Sequence, residues 1–229
     1  MSFKSFVIRK PNDQFSEKLA DECIASAKQF GIDVEKINGV YSDFDKLLTL
    51  ENLKINPGAL KKFNTNGVKG CFLSHWNLWN RCLKENIPFL IFEHDGLMIN
   101  PLPDNVLDKF NDYLNLDYAR HVFRRDMKNY ENGISNNPPT NIIKLEPTST
   151  EKSGFKFINR NHIVGAHGYI LKPSGAKKII NGIKQDGICP ADIAPNLSYI
   201  QMFYTNETVV RVNPIMLEKQ GGQSHTKQV

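Results

Sequence analysis

Residues 87–101 read IPFLIFEHDGLMINP, and the run from Phe89 to Phe92 constrains the fold more than any other part of the chain. Large apolar residues in unbroken succession between Pro88 and Gly96 have the length and composition of a strand buried on both faces, the strand type of a parallel sheet. That strand ends in charge, because Glu93, His94 and Asp95 follow directly. Open α/β sheets bind ligands outside the carboxyl ends of their strands. Two acids flanking a histidine there suit a divalent cation, carboxylates favouring Mg²⁺ and Mn²⁺ and imidazole several transition metals. The alternative is a solvated turn with a helix cap to follow.

The neighbouring segments supply the rest of an α/β domain. FKSFVIRK reads as a first strand. DQFSEKLADECIASAKQFG reads as an amphipathic helix with Phe15, Leu19, Cys23 and Ala27 at a spacing of four, stopped by Gly31. IDVEKINGV reads as a second strand, so the opening is a β-α-β unit with parallel strands and a right-handed crossover. Residues 41–68 hold one short helix and an Asn-Pro-Gly turn at 56–58. GCFLSHWNLWNRCLKEN then puts Phe72, His75, Trp76, Trp79 and Leu83 on one helical face.

Residues 101 to about 160 show little periodicity and read as a loop-rich region of the kind that forms lids or substrate loops. HIVGAHGYIL at 162–171 reads as a strand, KPSGAKKIINGIKQDG as the next helix with Ser174 as its cap, and ETVVRVNPIML as a closing strand. The tail, about 218–229, is polar and glycine-containing and reads as flexible.

With 40% hydrophobic and 23% charged residues, the 229-residue chain suits one large core, and a single domain over 1–229 is expected. No apolar run approaches the roughly 20 residues that span a bilayer, and MSFKSFVIRK lacks the pattern of a secretory leader. A cytoplasmic protein without a transmembrane segment is the expectation. Cys23, Cys71, Cys82 and Cys189 have neither CxxC nor zinc-finger spacing and read as reduced, mostly buried thiols. The net charge of +5, from 29 basic and 24 acidic residues, mildly favours anionic partners, from nucleotides and phosphorylated glycans to nucleic acid.

Three blocks resemble the family 25 glycosyltransferases, which include bacterial lipooligosaccharide galactosyltransferases and collagen galactosyltransferases. The first is GVKGCFLSHWNLWNRCLKENIPFLIFEHDGLM, similar to that family's glycine-cysteine, serine-histidine, aromatic helix and Leu-Glu-Asp-Asp strand end. The second is GAHGYILKPSGAKKII, and the third is PADIAPNLSYI followed by NPIMLEKQGGQSH. The resemblance implies a single-domain GT-A fold with a mostly parallel central sheet flanked by helices. It further implies an inverting transfer of galactose or glucose from a UDP-sugar donor to a hydroxyl of a glycan or related acceptor, with Mn²⁺ or Mg²⁺ as cofactor. Where the family has Glu-Asp-Asp, this chain has Glu93-His94-Asp95. On the resemblance Asp95 takes the metal, Glu93 the nucleotide side, and His94 stands in doubt.

An inverting transfer needs a carboxylate to take the acceptor proton. Asp192, in the proline-bounded CPADIAP, is the first choice for that base, with Asp186 second; the alternative is that Asp192 caps the turn after Pro190. Ser74 and His75 either contact the donor or fix the helix against the sheet. Gly165 and Gly168 either admit a ligand or permit close packing, and His167 either contacts a substrate or is a satisfied buried histidine. His225 is a metal ligand if the tail folds over bound nucleotide. Two other functions compete: a sugar-nucleotide-binding protein that lost catalysis at His94, and a transferase acting on hydroxylated bases of nucleic acid, for which no aromatic-basic recognition signature is present.

Overall fold

The computed structural model describes residues 2–59, 65–119, 127–146, 163 and 165–216. The chain opens with strand β1 (Lys4–Arg9), helix α1 (Gln14–Lys28) and strand β2 (Glu35–Asn38), and β1 and β2 pair in parallel as the β-α-β reading requires. Asp13 caps α1 by accepting from the Ser16 amide at 3.0 Å, and Gly31, with φ of 74°, turns the chain out of it. The short α2 (Phe44–Leu50) leads to the turn at 56–58, where the Asn56 side chain accepts from the Gly58 amide at 2.9 Å.

Helix α3 (Asn66–Glu85) starts on a Thr65 cap and ends on Asn86 in the left-handed conformation. Its buried face holds Phe72, His75, Trp76 and Trp79 as expected, but Cys82 closes that face while Leu83 is 37% exposed. The fourfold spacing drifts off the stripe by one position over the last turn, which is where Leu83 was misassigned.

β3 (Phe89–Glu93) lies inside the sheet, parallel to β1 and antiparallel to the strand on its other side. Its residues alternate between two cores. Phe89 and Ile91 join Phe72, Trp76 and Trp79 under α3, while Leu90 and Phe92 join Ala20, Cys23 and Ala27 under α1. Both faces are therefore apolar, which is what an unbroken hydrophobic run encodes.

The remaining strands are β4 (Gly96–Met98), β5 (Tyr113–Asn115), β6 (Ile142–Lys144), β7 (Gly168–Leu171), β8 (Met202–Thr205) and β9 (Val210–Val212). Between them stand a short helix α4 (Met127–Asn132) and α5 (Pro173–Asp186), which packs beside α3. The large sheet has the order β2-β1-β3-β7-β5-β8-β6, and β4 pairs with β9 in a separate ribbon.

The architecture is a helix-flanked α/β sheet, consistent with a GT-A-like fold, but the sheet is mixed rather than mostly parallel. Three of its pairings are parallel (β1–β2, β1–β3, β5–β8) and three antiparallel (β3–β7, β5–β7, β6–β8). Parallel neighbours need a crossover, usually a helix; past β3 the order departs from a β-α-β repeat, and β7 enters antiparallel to both its neighbours.

Two boundaries also differ from the sequence reading. The strand expected over 162–171 begins only at Gly168, and the closing strand is confined to Val210–Val212. Ser174 does not cap α5: Pro173 occupies the first turn, Lys172 precedes it without a side-chain cap, and the Ser174 hydroxyl donates to the Asn111 carbonyl at 3.1 Å. Within the loop-rich region, 120–126 and 147–160 lie outside the described residues, as does the tail with His225. Among the described residues no helix is long and apolar enough to cross a membrane.

Candidate active site

β3 leaves the large sheet at Glu93, turns through His94 and Asp95, and joins the small ribbon at Gly96, which lies opposite Val212. The turn is clamped from both sides. The Glu93 amide donates to the His167 carbonyl at 3.3 Å, and the Asn213 amide donates to the Asp95 carbonyl at 2.7 Å. A Cβ on Gly96 would run into the His167 carbonyl, so the close approach of these two backbones requires glycine.

A chain of hydrogen bonds reaches Glu93 from the helix above it. Trp79 Nε1 donates to the Tyr169 hydroxyl at 2.9 Å, and that hydroxyl lies 2.7 Å from His75 Nδ1. Since the phenol already accepts from tryptophan, its own proton is free for Nδ1. We assign His75 the Nε2–H tautomer on these partners, which leaves Nε2 to donate to Glu93 Oε1 at 3.2 Å. The Cys71 thiol donates to the same oxygen, also at 3.2 Å. Burial opposes ionisation of Glu93, but the hydrogen bonds from His75 and the Cys71 thiol, with the charge of the more distant His167, outweigh it and hold the carboxyl below its ordinary value. Both hydrogen bonds fall on Oε1, and the side chain is 27% exposed, so the carboxylate is held charged with one oxygen engaged.

Asp95 stands two residues on, half-buried. Its Oδ1 is buried with no hydrogen-bond partner among the described residues. Native structures rarely leave such an oxygen unsatisfied unless a ligand or ion completes it. A hard cation finds an anionic oxygen here, which is the donor chemistry of Mg²⁺ and Mn²⁺. His94 is also half-buried and makes no hydrogen bond among the described residues.

Asp192 lies half-buried on the turn after Pro190, whose carbonyl accepts from the amides of Ile193 at 2.9 Å and Ala194 at 3.0 Å. Its charge acts on Cys71 and on Tyr113. Burial first, then Glu93, Asp192 and Asp95 together push the Cys71 thiol well above its ordinary value. The fold thus gathers three carboxylates, two from the end of β3 and the turn that follows it and one from the turn after Pro190, about one cysteine. Asp186 is committed elsewhere: its carboxylate accepts from the Tyr199 hydroxyl at 2.7 Å and its carbonyl from the Asn56 side chain at 2.8 Å.

The other expected contacts have structural partners. Ser74 Oγ donates to the Gly70 carbonyl at 2.6 Å and accepts from the Val40 amide at 2.8 Å, pinning α3 to the segment after β2. Gly165 has φ of 97°, which favours glycine, and its carbonyl accepts from Asn115 at 3.2 Å. Gly168 faces Val210, whose side chain would meet an added Cβ at 2.6 Å. His167 is buried with Nε2 2.7 Å from Asp117 Oδ2; Asp117 also accepts from the Tyr130 hydroxyl at 2.9 Å.

Cys71, Trp79, Tyr169 and Asp117 were not singled out from the sequence as site residues. The spacing of four between Cys71 and His75 was a legible signal for the first of these. For Tyr169 and Asp117, whose partners are distant in the chain, the sequence carries none.

A family model described as "Glycosyltransferase family 25 (LPS biosynthesis protein)" matches residues 14–194. Among curated proteins, the chain is similar to the lipooligosaccharide biosynthesis protein lic2B of Haemophilus influenzae, 31% identical over 129 residues, which are 55% of this chain and 45% of that protein. It is also similar to the lipooligosaccharide biosynthesis protein lex-1 of Haemophilus influenzae (strain ATCC 51907 / DSM 11121 / KW20 / Rd), 26% identical over 121 residues, 52% of this chain and 38% of that one. Each match covers less than half the length of the relative.

The buried His167–Asp117 pair makes stability depend on pH. Burial works to remove the imidazole proton, but the Asp117 hydrogen bond and charge, with Asp95 and Glu93 behind them, raise the His167 pKa above its ordinary value. A raised folded pKa gives a contribution that is complete below about pH 6.5 and is lost as pH rises through the raised value. Thermal melts of the wild type should therefore lose stability across that window. His167→Gln keeps an N–H for Asp117 but cannot titrate, so its melts should lack that component; equal pH dependence in the two proteins would contradict a charged pair.

Proposed function

The chain belongs to glycosyltransferase family 25, and from that premise we propose that it transfers galactose or glucose from a UDP-sugar to a hydroxyl acceptor, with inversion at the anomeric carbon and a divalent cation in attendance. The observation that carries this reading is the buried Asp95 Oδ1, without a partner among the described residues, beside an ionised Glu93 at the end of an interior strand. The named role of both relatives is lipooligosaccharide biosynthesis, which supports a growing surface glycan as the acceptor.

The residues fit an Mn²⁺ or Mg²⁺ ion, because Asp95 offers a carboxylate oxygen with no competing donor among the described residues. In our reading Asp95 would hold the ion, which when bound neutralises charge building on the departing diphosphate. Glu93 would orient the nucleotide: Oε1 is occupied by Cys71 and His75, leaving Oε2 to accept from a ribose hydroxyl. The relay through Tyr169 and Trp79 keeps that carboxylate charged and in one orientation, so its acceptor oxygen is preorganised. Asp192, whose charge reaches the same Cys71, would take the proton of the attacking hydroxyl.

This assignment makes Asp95→Ala lose Mn²⁺-dependent UDP binding, measured by calorimetry, while the fold stays intact because a strand-end acid adds little to the core. Unchanged metal-dependent UDP affinity would remove Asp95 from the metal. Asp192→Asn keeps size and most hydrogen bonding but removes the proton acceptor, so kcat should fall on the order of 10²-fold or more with donor affinity preserved. NMR of the product should show the anomeric configuration opposite to the donor's; a retained configuration would reject both inversion and this role for Asp192.

A further inference from the structure

We propose that Cys71, His75 and Glu93 form a binding site for a thiophilic divalent cation of the zinc class, separate from the oxygen position at Asp95. Cys71 and His75 stand four residues apart on α3 and so share one helical face. The end of β3 brings Glu93 against that face. One ligand atom from each residue lies within 4.8 Å of the other two, with Sγ and Nε2 both 3.2 Å from Glu93 Oε1. Around a tetrahedral ion with bonds of 2.0–2.3 Å, ligand atoms are separated by roughly 3.3–3.7 Å. The trio is thus close to the required size without backbone movement.

The donor chemistry selects the ion. Sulfur, imidazole nitrogen and carboxylate oxygen together suit Zn²⁺ or Co²⁺, whereas Mg²⁺ and Mn²⁺ prefer oxygen alone. His75 has the support that metal-binding histidines need, because its Nδ1 faces the Tyr169 hydroxyl at 2.7 Å and Trp79 fixes that hydroxyl in turn. Binding frees both soft ligands by proton movements that balance. The Cys71 thiol loses its proton to solvent as sulfur bonds the ion. The His75 proton moves from Nε2 to Nδ1, the Tyr169 hydroxyl turns its own proton away and accepts from Nδ1 alongside Trp79, and Nε2 is left as the ligand.

The surroundings favour a cation as well. Burial first, and then the carboxylates of Glu93, Asp192 and Asp95, keep the Cys71 thiol protonated, and a cation bonded to sulfur there offsets the negative field of those carboxylates. The half-exposed side of the cluster, at Cys71 and Glu93, leaves a fourth coordination position open to water. The inference rests on this cluster and not on the donor or the reaction proposed above.

Titration of the metal-free full chain with Co²⁺, followed by absorbance, tests it. The expected result is a near-ultraviolet thiolate-to-cobalt band with tetrahedral visible bands, saturating at one such ion per chain. Equimolar Zn²⁺ should erase it and equimolar Mn²⁺ should not. Cys71→Ser should abolish the thiolate band, His75→Gln should weaken cobalt affinity about 10-fold or more, and Asp95→Ala and Cys23→Ser should retain the band. Because an ion held at Asp95 touches only oxygen, its presence or absence leaves this readout unchanged. No thiolate band in the folded wild type, or a band that persists in Cys71→Ser, would overturn the site; circular dichroism confirms that each variant is folded.

Discussion

Glu93 Oε1 is the acceptor on which the candidate site depends. A carboxylate at the end of a strand with apolar surroundings on both faces would ordinarily gain a proton, because burial penalises the charged form. Here two donors from α3, Cys71 and His75, converge on one oxygen and reverse that preference. His75 can serve only because Tyr169 of β7 holds its other nitrogen, and Trp79 holds Tyr169. One carboxylate therefore ties together a helix and two antiparallel strands. His75, Tyr169 and Trp79 are also core residues, so the same packing that stabilises the fold sets the charge of the site.

The seam between the two sheets supplies the second constraint. β3 must leave the large sheet at Glu93 for Gly96 to start the ribbon with β9, and the turn between them can be tight only because no Cβ at Gly96 blocks the His167 carbonyl. That geometry buries Asp95 Oδ1 without a donor among the described residues. An unsatisfied buried carboxylate oxygen is costly, and proteins concentrate such costs where a ligand relieves them. His167 on Asp117 adds a buried imidazole whose proton is held by the Asp117 carboxylate and favoured by the charges of Asp95 and Glu93.

What could be read from the sequence divides along the reach of the interactions concerned. The Phe89–Phe92 run, the β1-α1-β2 opening and α3 are encoded by local periodicity, and all stand as expected. Leu83 and Ser174 were misplaced because a face or a cap is settled by one residue's rotation, which spacing alone leaves loose. The mixed sheet was not legible because a strand's direction is set by which neighbour it joins on returning to the sheet, and local periodicity, even in α5 between β7 and β8, does not encode that. Ser74 and His167 show the same limit from the other side. Both were visible as polar residues in apolar text, but only the fold reveals that Gly70 and Val40 satisfy the first and Asp117 the second. Glu93 and Asp95 were legible as a pair of strand-end acids; the difference between them, one held by donors and one left bare, is a tertiary property.

The central claim is that the turn from Glu93 to Gly96 is where cation and nucleotide meet. Paramagnetic relaxation by Mn²⁺ reads this directly, in amide NMR spectra of the chain with UDP and with Mg²⁺ as the diamagnetic reference. The account predicts that the strongest Mn²⁺ broadening falls on the amides of 93–96 and of their clamping neighbours His167, Gly168 and Asn213. Broadening centred elsewhere, for instance on the outer face of α1, with the 93–96 amides unaffected, would contradict it.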